Sequence, residues 1–310
     1  DGPDEDALAA HFGDGPGVAH DGRLGWYRGL YAGHAEGAHR ASGSSGGITS
    51  WLLAELLRRG LVDGVVHVRA SEATGGPRRG CDISTSPDMV AGNAKTRYYP
   101  VELSGVLQRV RATPGRYAFV GVPCFVKAVR RMAQAEPLLA ERIVATVALF
   151  CGHMKSGRFA DSLAWQMGVA PEAWSTVDFR RKLPDRPASA YGFAVRTPEG
   201  AGDSVAPMRD LVGYDWGMGV FRLSACDYCD DVVGEAADIS FGDAWLPAYV
   251  HDSAGTNLVV VRDAGLHALL REGAARGALQ LADCSLQDMV KSQEPSFRHR
   301  RTGLAYRLWL

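Results

Sequence analysis

The stretch that decides the fold is Tyr117-Ala118-Phe119-Val120-Gly121-Val122-Pro123-Cys124. Its first six residues are apolar without interruption, which is typical of a strand that is buried on both faces of a sheet. A helical pattern follows from Phe125 to Ala135, and a second apolar stretch from Ile143 to Phe150 ends next to Cys151. Buried strands that alternate with helices predict an α/β fold with a mainly parallel or mixed sheet flanked by helices.

The pattern changes towards the C-terminus. From about residue 174 the strands alternate between apolar and polar residues, so a C-terminal α+β portion is expected, with a soft boundary near residues 170–175. Residues 26–310 are otherwise expected to form one domain. Residues 1–25 are acidic and rich in Gly and Ala, and we expect a flexible N-terminal segment there.

Composition limits the kind of protein. The chain has 310 residues, of which 46% are hydrophobic and 22% are charged, and its formal net charge is −1. Nothing in this charge favours nucleic acid or an anionic membrane, and no apolar stretch of about 18 residues predicts a membrane-spanning helix. Six cysteines are too sparse for a disulfide scaffold, and the acidic N-terminal residues do not have the pattern expected of a signal peptide. A cytoplasmic protein is therefore expected.

Four of the cysteines stand where predicted strands or hairpins give way to loops or helices: Cys124, Cys151, Cys226 and Cys229. Four thiolates suit either zinc or an iron–sulfur cluster. A zinc knuckle usually takes its ligands from two C-x-x-C pairs, whereas this chain has one pair and two separate cysteines. The scatter favours a cluster, with packing as small hydrophobic side chains as the alternative. The other two cysteines, Cys81 and Cys284, are not expected to be metal ligands.

Acidic residues crowd the C-x-x-C pair. Asp227, Asp230, Asp231 and Glu235 all lie within this short segment. Negative charge beside an iron–sulfur cluster lowers its reduction potential, so the pattern predicts a low-potential centre.

A glycine–serine loop precedes a helical pattern at Ser44-Ser45-Gly46-Gly47-Ile48-Thr49. Glycines let the backbone approach a ligand, hydroxyls donate hydrogen bonds, and a helix N-terminus favours phosphate. The same residues are also ordinary helix caps and loop residues, so capping alone is the alternative.

Three polar side chains are candidates for chemistry near these motifs. His153, two residues after Cys151, would donate a proton to a substrate or hydrogen-bond a cluster sulfur. Lys95 and Arg97 would bind a phosphate or a substrate carboxylate, and Lys95 is also a catalytic candidate. Solvated loop residues are the alternative in each case.

Two basic surfaces suggest partners. Lys127, Arg130 and Arg131 lie about one helical turn apart, so they would share a face that docks an acidic ferredoxin or a polyglutamate tail. A solvated helix face is the alternative. The basic and aromatic tail, residues 297–310, would pack across the interface of a homo-oligomer.

Taken together, the motifs resemble one family, the coenzyme F420 hydrogenase/dehydrogenase beta subunits, which include 7-hydroxymethyl chlorophyll a reductase. Order and spacing agree over roughly residues 30–290. The matching blocks are Ser45-Gly46-Gly47-Ile48-Thr49, Val120-Gly121-Val122-Pro123-Cys124, Phe150-Cys151-Gly152-His153, Phe179-Arg180-Arg181-Lys182, Cys226-Asp227-Tyr228-Cys229-Asp230 and Glu235-Ala236-Ala237-Asp238-Ile239-Ser240-Phe241-Gly242-Asp243-Ala244-Trp245.

The resemblance implies a flavoprotein with FAD and a [4Fe–4S] cluster that exchanges electrons with coenzyme F420 or ferredoxin. By motif, the cluster ligands would be the four cysteines named above. The loop from Ser44 to Thr49 would hold the FAD pyrophosphate, and Gly242 and Asp243 would lie near the flavin. Many relatives carry an additional C-x-x-C-x-x-C run, which this chain lacks, so a single cluster is expected. Phe125 stands where many relatives have Gln, which affects the cluster surroundings.

The leading hypothesis is an iron–sulfur flavoprotein that reduces a small organic substrate with electrons from reduced F420 or ferredoxin. A non-catalytic electron-relay subunit of a larger redox complex is the second hypothesis. A zinc-stapled binding protein is the third.

Overall fold

The helices and strands are those of a computed structural model, which describes residues 2–70, 79–171, 173–200 and 202–309. The strands are β1 (Ala19–Asp21), β2 (Gly25–Tyr27), β3 (Gly29–Ala35), β4 (Gly64–Ala70), β5 (Arg79–Ser84), β6 (Tyr117–Gly121), β7 (Ile143–Leu149), β8 (Thr176–Arg181), β9 (Gly192–Arg196), β10 (Ser204–Pro207), β11 (Ile239–Asp243), β12 (Asn257–Val261) and β13 (Leu279–Asp283).

The α-helices are α1 (Glu5–Ala9), α2 (Ala38–Ser42), α3 (Ile48–Arg58), α4 (Pro87–Gly92), α5 (Ser104–Ala112), α6 (Pro123–Ala135), α7 (Pro137–Arg142), α8 (Arg158–Gln166), α9 (Pro247–Val250), α10 (Ala264–Ala275), α11 (Leu286–Ser292), α12 (Glu294–Phe297) and α13 (Gly303–Trp309). Short 3-10 helices cover Ala10–Gly13, Met208–Asp210 and Ser224–Tyr228, and a π-helical turn covers Arg298–Thr302.

One mixed sheet organises the chain, with the strand order β13-β3-β12-β11-β7-β6-β4-β5. The central strands β4, β6, β7 and β11 pair in parallel. The outer pairs are antiparallel, β4 with β5 on one side and β11, β12, β3 and β13 in turn on the other. The predicted α/β fold with a mixed sheet is confirmed.

Helices cover both faces of this sheet. Along β6, Ala118 packs into the core formed with α3 and α10, whereas Phe119 packs into the core formed with α5, α6 and α7. Neighbouring residues of a strand point to opposite faces, and both faces are buried here, which explains why the strand is apolar at every position.

A second, antiparallel sheet with the order β10-β9-β8 follows α8 in the chain. Its core contains Phe159, Phe179 and Phe193, all of them fully buried. This sheet is the α+β portion that the change of pattern near residue 174 predicts. Pairing of β8 with β9 is irregular between Asp178 and Arg181, immediately beside the functional side chains described below.

The N-terminal residues pack against the rest of the protein, whereas the sequence predicted a flexible segment there. Leu8 and Phe12 are buried, and Arg130 of α6 lies 5.8 Å from the centre of the Phe12 ring. Lys127 pairs with Glu5 at 2.6 Å. These contacts dock residues 4–13 on α6, because apolar side chains at every third or fourth position give the short helix a buried side.

Two other expectations differ from the structure. The stretch 71–100, expected to be a long surface loop, contains β5 and α4, while residues 71–78 lie outside the described residues. Cys81 therefore lies in a strand and not in a polar loop. In the described part of the chain, no helix combines the length and the apolar character needed to cross a membrane.

Docking of the N-terminal segment can be tested with Phe12→Ala. Removing a buried phenylalanine ring should lower the free energy of unfolding by about 3–5 kcal/mol, measured by urea denaturation. Asp14→Ala, which changes an exposed side chain two residues away, is the matched control and should change it little. Equal stability of the two variants would mean that this segment contributes nothing to folding.

Candidate cofactor cavity and cysteine cluster

The cysteine-bearing loops meet at one edge of the sheet. In the parallel pair β6 and β7, Gly121 is level with Ala148, and in the pair β7 and β11, Leu149 is level with Phe241. Cys124 lies in the first turn of α6, directly after β6, and Cys151 follows β7. The prediction that adjacent parallel strands bring both cysteines to the same edge is confirmed.

The C-x-x-C pair folds over this edge. Cys226 lies in the 3-10 helix Ser224–Tyr228, and its sulfur accepts a hydrogen bond from the Met154 amide at 3.3 Å. Lys155 and Arg222 form an isolated antiparallel bridge that joins the same two segments. The backbone thus ties the loop after Cys151 to the C-x-x-C pair.

The thiols lie within electrostatic reach of one another. Burial raises the pKa of Cys151 to about 12, with smaller contributions from the other three cysteines. Cys124 is exposed as a residue, but neighbouring protein atoms desolvate its thiol; this desolvation, followed by the charges of Cys229 and Cys226, raises the pKa of Cys124 to about 11. Among the described residues, however, no three His, Cys, Asp or Glu side chains are grouped closely enough to hold a metal ion. The ligand set remains a prediction.

A cavity of about 790 Å³ is lined by the glycine–serine loop and, of the four predicted ligand cysteines, by Cys151 alone. This volume is within the range of cofactor and ligand sites. Its lining includes Ser44 and Thr49 near the start of α3, and Cys151 and His153 in the loop after β7. The predicted site residues that line the cavity are Ser44, Ser45, Gly47, Thr49, Lys95, Arg97, Cys151, His153, Gly242 and Asp243.

The glycine–serine loop is held tightly at the start of α3. Gly47 has a φ of +78°, and a Cβ there would lie 2.3 Å from the His39 carbonyl oxygen, so only glycine fits. Asn257 caps the helix from β12, since its Oδ1 accepts from the Ile48 amide at 3.1 Å. Gly46 packs closely against the start of β12, because a Cβ at this position would come within 2.8 Å of the Asn257 backbone nitrogen.

Both serine hydroxyls of the loop have protein partners. Ser44 Oγ accepts from the Thr96 amide at 2.8 Å, and Ser45 Oγ donates to the Thr256 carbonyl at 3.1 Å. They fix the shape of the loop, while Thr49 lines the cavity from the first turn of α3. Of the loop residues predicted to bind phosphate, Thr49 is therefore the best placed to donate a side-chain hydrogen bond.

Ion pairs hold the cationic side chains at the cavity wall. Lys95 pairs with Asp178 at 3.1 Å. Asp243 pairs with Arg180 at 2.9 Å, and the Arg180 guanidinium lies 4.2 Å from the centre of the Tyr191 ring. Gly242 is required by packing, because a Cβ there would lie 2.0 Å from an atom of the Phe150 ring.

Positive charge dominates the cavity wall. The lining cations are Lys95, Arg97, Lys155, Arg180 and Lys291, and the lining carboxylates are Asp243 and Glu294. The chain as a whole is almost neutral, with a formal net charge of −1. The local excess favours an anionic ligand.

His153 is buried and not a solvated loop residue. Its ring centre lies 4.4 Å from that of Trp216, and no described residue hydrogen-bonds its Nε2. Burial, followed by the charges of Lys155 and Arg222, lowers the pKa of His153 to about 3. The ring is therefore neutral at pH 7, which suits a hydrogen-bonding role better than that of an imidazolium acid.

Lys155 is a cavity-lining residue that sequence reasoning missed. It is fully buried, and its Nζ donates to the Val220 carbonyl at 2.6 Å and lies 4.7 Å from the centre of the Trp216 ring. Burial, followed by the charge of Arg222, lowers its pKa to about 8. The only signal was its position four residues after Cys151.

Arg180 and Arg300 were also missed as site residues. Arg180 belongs to the Phe179-Arg180-Arg181-Lys182 block, but only the tertiary pairing with Asp243 reveals its place in the cavity wall. Arg300 lies in the tail that was expected to pack across an interface, yet it is buried against the cysteines. Tyr306 and Trp309 further along the tail are exposed, so the homo-oligomer remains a prediction.

Basic residues of α6 are engaged within the chain. Besides Lys127, which pairs with Glu5, Arg130 pairs with Asp238 at 2.7 Å, and Arg131 donates to the Pro3 carbonyl at 2.6 Å. These contacts are unfavourable for the expected docking of an acidic partner on this face, because the charges are already neutralised or turned towards the N-terminal segment.

Two of the four acidic residues around the C-x-x-C pair form ion pairs with arginines. Asp227 pairs with Arg222 at 2.7 Å, and Glu235 pairs with Arg301 at 2.5 Å. Burial raises the pKa of Asp231 to about 6. The sequence suggested a strongly negative environment. The arginines that reduce this negative charge are Arg222 and, from the distant C-terminal tail, Arg301.

Fold and site together define a mixed-sheet α/β protein with a large cation-lined cavity that reaches Cys151. Its sequence identifies it further. The N-terminal model of the coenzyme F420 hydrogenase/dehydrogenase beta subunit matches residues 30–108, and the C-terminal model matches residues 115–286. The chain belongs to this family, as the motifs predicted.

Two relatives illustrate the relationship. The chain is 26% identical over 235 residues to a subunit of the F(420)H(2) dehydrogenase of Methanosarcina mazei, a match that covers 74% of this chain and 62% of the relative. It thus spans less than two thirds of that relative's length. The fold is similar to that of a chain of the F420-reducing [NiFe] hydrogenase complex from Methanosarcina barkeri, with a TM-score of 0.68 at 19% identity, covering 93% of this chain and 95% of that one.

Burial of Lys155 predicts a pH-dependent contribution to stability. Its pKa is about 8 in the folded protein and about 10.4 in an unfolded chain. Between these values the unfolded chain binds the additional proton, so this group makes the free energy of unfolding rise with pH. Urea denaturation from pH 7 to pH 10.5 should show this rise in the wild type and lose it in Lys155→Met and Lys155→Arg. Parallel curves for all three proteins would contradict the assignment.

Proposed function

We propose that this protein is an iron–sulfur flavoprotein that holds FAD in the large cavity and one [4Fe–4S] cluster on Cys124, Cys151, Cys226 and Cys229. It takes electrons from reduced coenzyme F420 or from ferredoxin and delivers them to a small organic substrate. One observation carries the proposal: the cation-lined cavity includes both the N-terminus of α3 and Cys151, so a cofactor bound there would lie beside one of the predicted cluster ligands.

Several features of the cavity fit FAD. The loop before α3 presents glycine backbone and the Thr49 hydroxyl to the cavity, which suits a pyrophosphate at a helix N-terminus. Lys95 and Arg97 line the same cavity and would add positive charge next to the phosphates. Towards the cysteines the wall becomes more aromatic, with Tyr98 and Trp216, which suits a flat ring system.

The chemistry of the four predicted ligands supports an iron–sulfur cluster. The four sulfurs come from three loops that meet at one sheet edge, and thiolates are the usual ligands of such clusters. When bound, the cluster supplies one-electron transfer and the flavin accepts a hydride or single electrons. The chain itself excludes water at Cys151, holds neutral His153 beside the cavity and keeps Lys155 at its wall.

F420 suits this cavity as an electron donor because it carries an anionic phosphate and carboxylate tail. Positive side chains exceed carboxylates at the cavity wall, which would favour such a ligand over a neutral one. The names of the family and of both relatives refer to F420, and this supports the same donor here.

The electron-relay subunit is the second candidate. Cys124 is exposed, and so is Tyr228 within the C-x-x-C pair, so the cysteine group reaches the protein surface. Both relatives belong to larger assemblies by their names, a dehydrogenase subunit and a hydrogenase complex. A surface-exposed cluster in such an assembly would pass electrons to a partner and not to a small substrate.

Cofactor content is the first test. Protein purified anaerobically should contain about four iron atoms and one FAD per chain, with both flavin and cluster absorption. Cys226→Ser should lose most of the iron and the cluster absorption but keep the flavin, whereas the matched control Cys284→Ser should keep both. A colourless protein that retains zinc would contradict the proposal, and unchanged iron in Cys226→Ser would refute the ligand assignment.

Electron donors are distinguished by following the flavin absorption. Reduced F420 or reduced ferredoxin should bleach the bound flavin, and the donor that does so at least tenfold faster is assigned as the physiological class. Reoxidation of the flavin by a small molecule without a partner protein would support the enzyme. Reoxidation only by a partner protein would favour the relay.

A further inference from the structure

A buried arginine from the C-terminal tail lies against the cysteine group. Arg300 is 2% exposed and belongs to the π-helical turn Arg298–Thr302, between α12 and α13. π-helical turns are rare and occur frequently at functional sites, because the additional residue redirects a side chain. Here the turn directs Arg300 inwards, while Arg298 in the same turn is exposed.

The Arg300 guanidinium contacts two of the predicted ligand sulfurs. Its Nη1 donates to Cys229 Sγ at 2.7 Å, and its Nη2 lies 3.6 Å from Cys151 Sγ. The remaining donors bind backbone, with Nε to the Gly152 carbonyl and Nη1 to the Asp231 carbonyl, both at 2.8 Å. The planar Arg300 guanidinium therefore links the loop after β7 to the C-x-x-C pair.

No carboxylate in the described part of the chain forms an ion pair with Arg300. The nearby Asp231 carboxylate instead accepts from the amides of Gly234 and Glu235. A buried cation is costly unless negative charge compensates it. The negative groups that act on the guanidinium are the Asp231 carboxylate and the cysteine sulfurs, which carry charge once they are deprotonated as metal ligands.

We propose that Arg300 raises the reduction potential of the cluster by donating hydrogen bonds to the Cys229 and Cys151 sulfurs and by placing a permanent positive charge beside them. The inference rests on the proposed cluster site and assigns it a tuning residue. Reduction adds one electron and makes the cluster more negative, so a fixed cation and hydrogen bonds to sulfur favour the reduced form. Arginine gains and loses no proton in this range.

This conclusion is opposite to what the acidic sequence around the C-x-x-C pair suggested. Asp227 and Glu235 are paired with other arginines, whereas Arg300 is directed at sulfur. The net effect of the surroundings is therefore less negative than the local sequence implies.

The test is a potentiometric titration of the anaerobic, cluster-loaded protein with dithionite, followed by electron paramagnetic resonance of the reduced cluster. Arg300→Gln removes the positive charge. Arg300→Lys keeps the charge but loses the planar guanidinium that contacts both sulfurs. The matched control, Arg298→Gln, removes an exposed charge from the same turn. At a fixed potential, the ratio of reduced to oxidised cluster should fall about tenfold in Arg300→Gln, equivalent to about −59 mV for one electron.

Arg300→Lys should fall between the wild type and Arg300→Gln, and Arg298→Gln should stay within about twofold of the wild type, because water screens its charge. A purely structural role would change iron content or stability without this order of potentials. An unchanged potential in fully loaded Arg300→Gln overturns the inference.

A second measurement uses the wild type and does not depend on the variants folding. Protein labelled with ¹⁵N in the arginine guanidino groups should show ¹⁵N coupling to the reduced cluster in pulsed electron paramagnetic resonance. Absence of coupling overturns the inference even if Arg300→Gln loses its iron. If the wild type assembles no cluster at all, it is the proposed function that fails, so the two failures are distinguishable.

Discussion

Parallel pairing of β7 with β6 and β11 is the constraint on which the site depends. Strands that run in the same direction end at the same edge of a sheet, and these three are aligned in register near their carboxyl ends. The residues at these ends must therefore converge: Cys124 after β6, Cys151 after β7, and Gly242 with Asp243 at the end of β11. The cavity occupies the space that this convergence leaves beside α3.

Charge is distributed in a way that the near-neutral total hides. The cavity wall and the cysteine group carry buried cations, among them Lys155, Arg180 and Arg300, while carboxylates nearby are paired or hydrogen-bonded. Asp243 compensates Arg180, whereas Lys155 and Arg300 form no ion pair with a carboxylate among the described residues, and burying such a cation is unfavourable unless negative charge offsets it. A chain that tolerates this arrangement is organised around anionic groups, which agrees with the cofactors proposed for it.

Sequence reasoning succeeded where the signal was local. Apolar strands and the helices between them predicted the mixed α/β sheet, and the motifs predicted the family that the family models confirm. It was less accurate where burial depended on distant partners. Residues 4–13 looked like a loose acidic segment, yet Phe12 is buried against α6. The basic face of α6 looked open to a partner, yet Glu5 and Asp238 neutralise it.

By itself, the sequence determined which strands would be buried, which loop would begin α3 and which cysteines would follow the strands, because these depend on residue type and spacing along a short stretch. Only the tertiary structure decided how the charges are paired and which side chains line the cavity. Arg300 lies in sequence 71 residues from Cys229 and 149 from Cys151, yet it contacts both sulfurs. No local pattern encodes such a contact, because it arises from the packing of the C-terminal π-helical turn against the edge of the sheet.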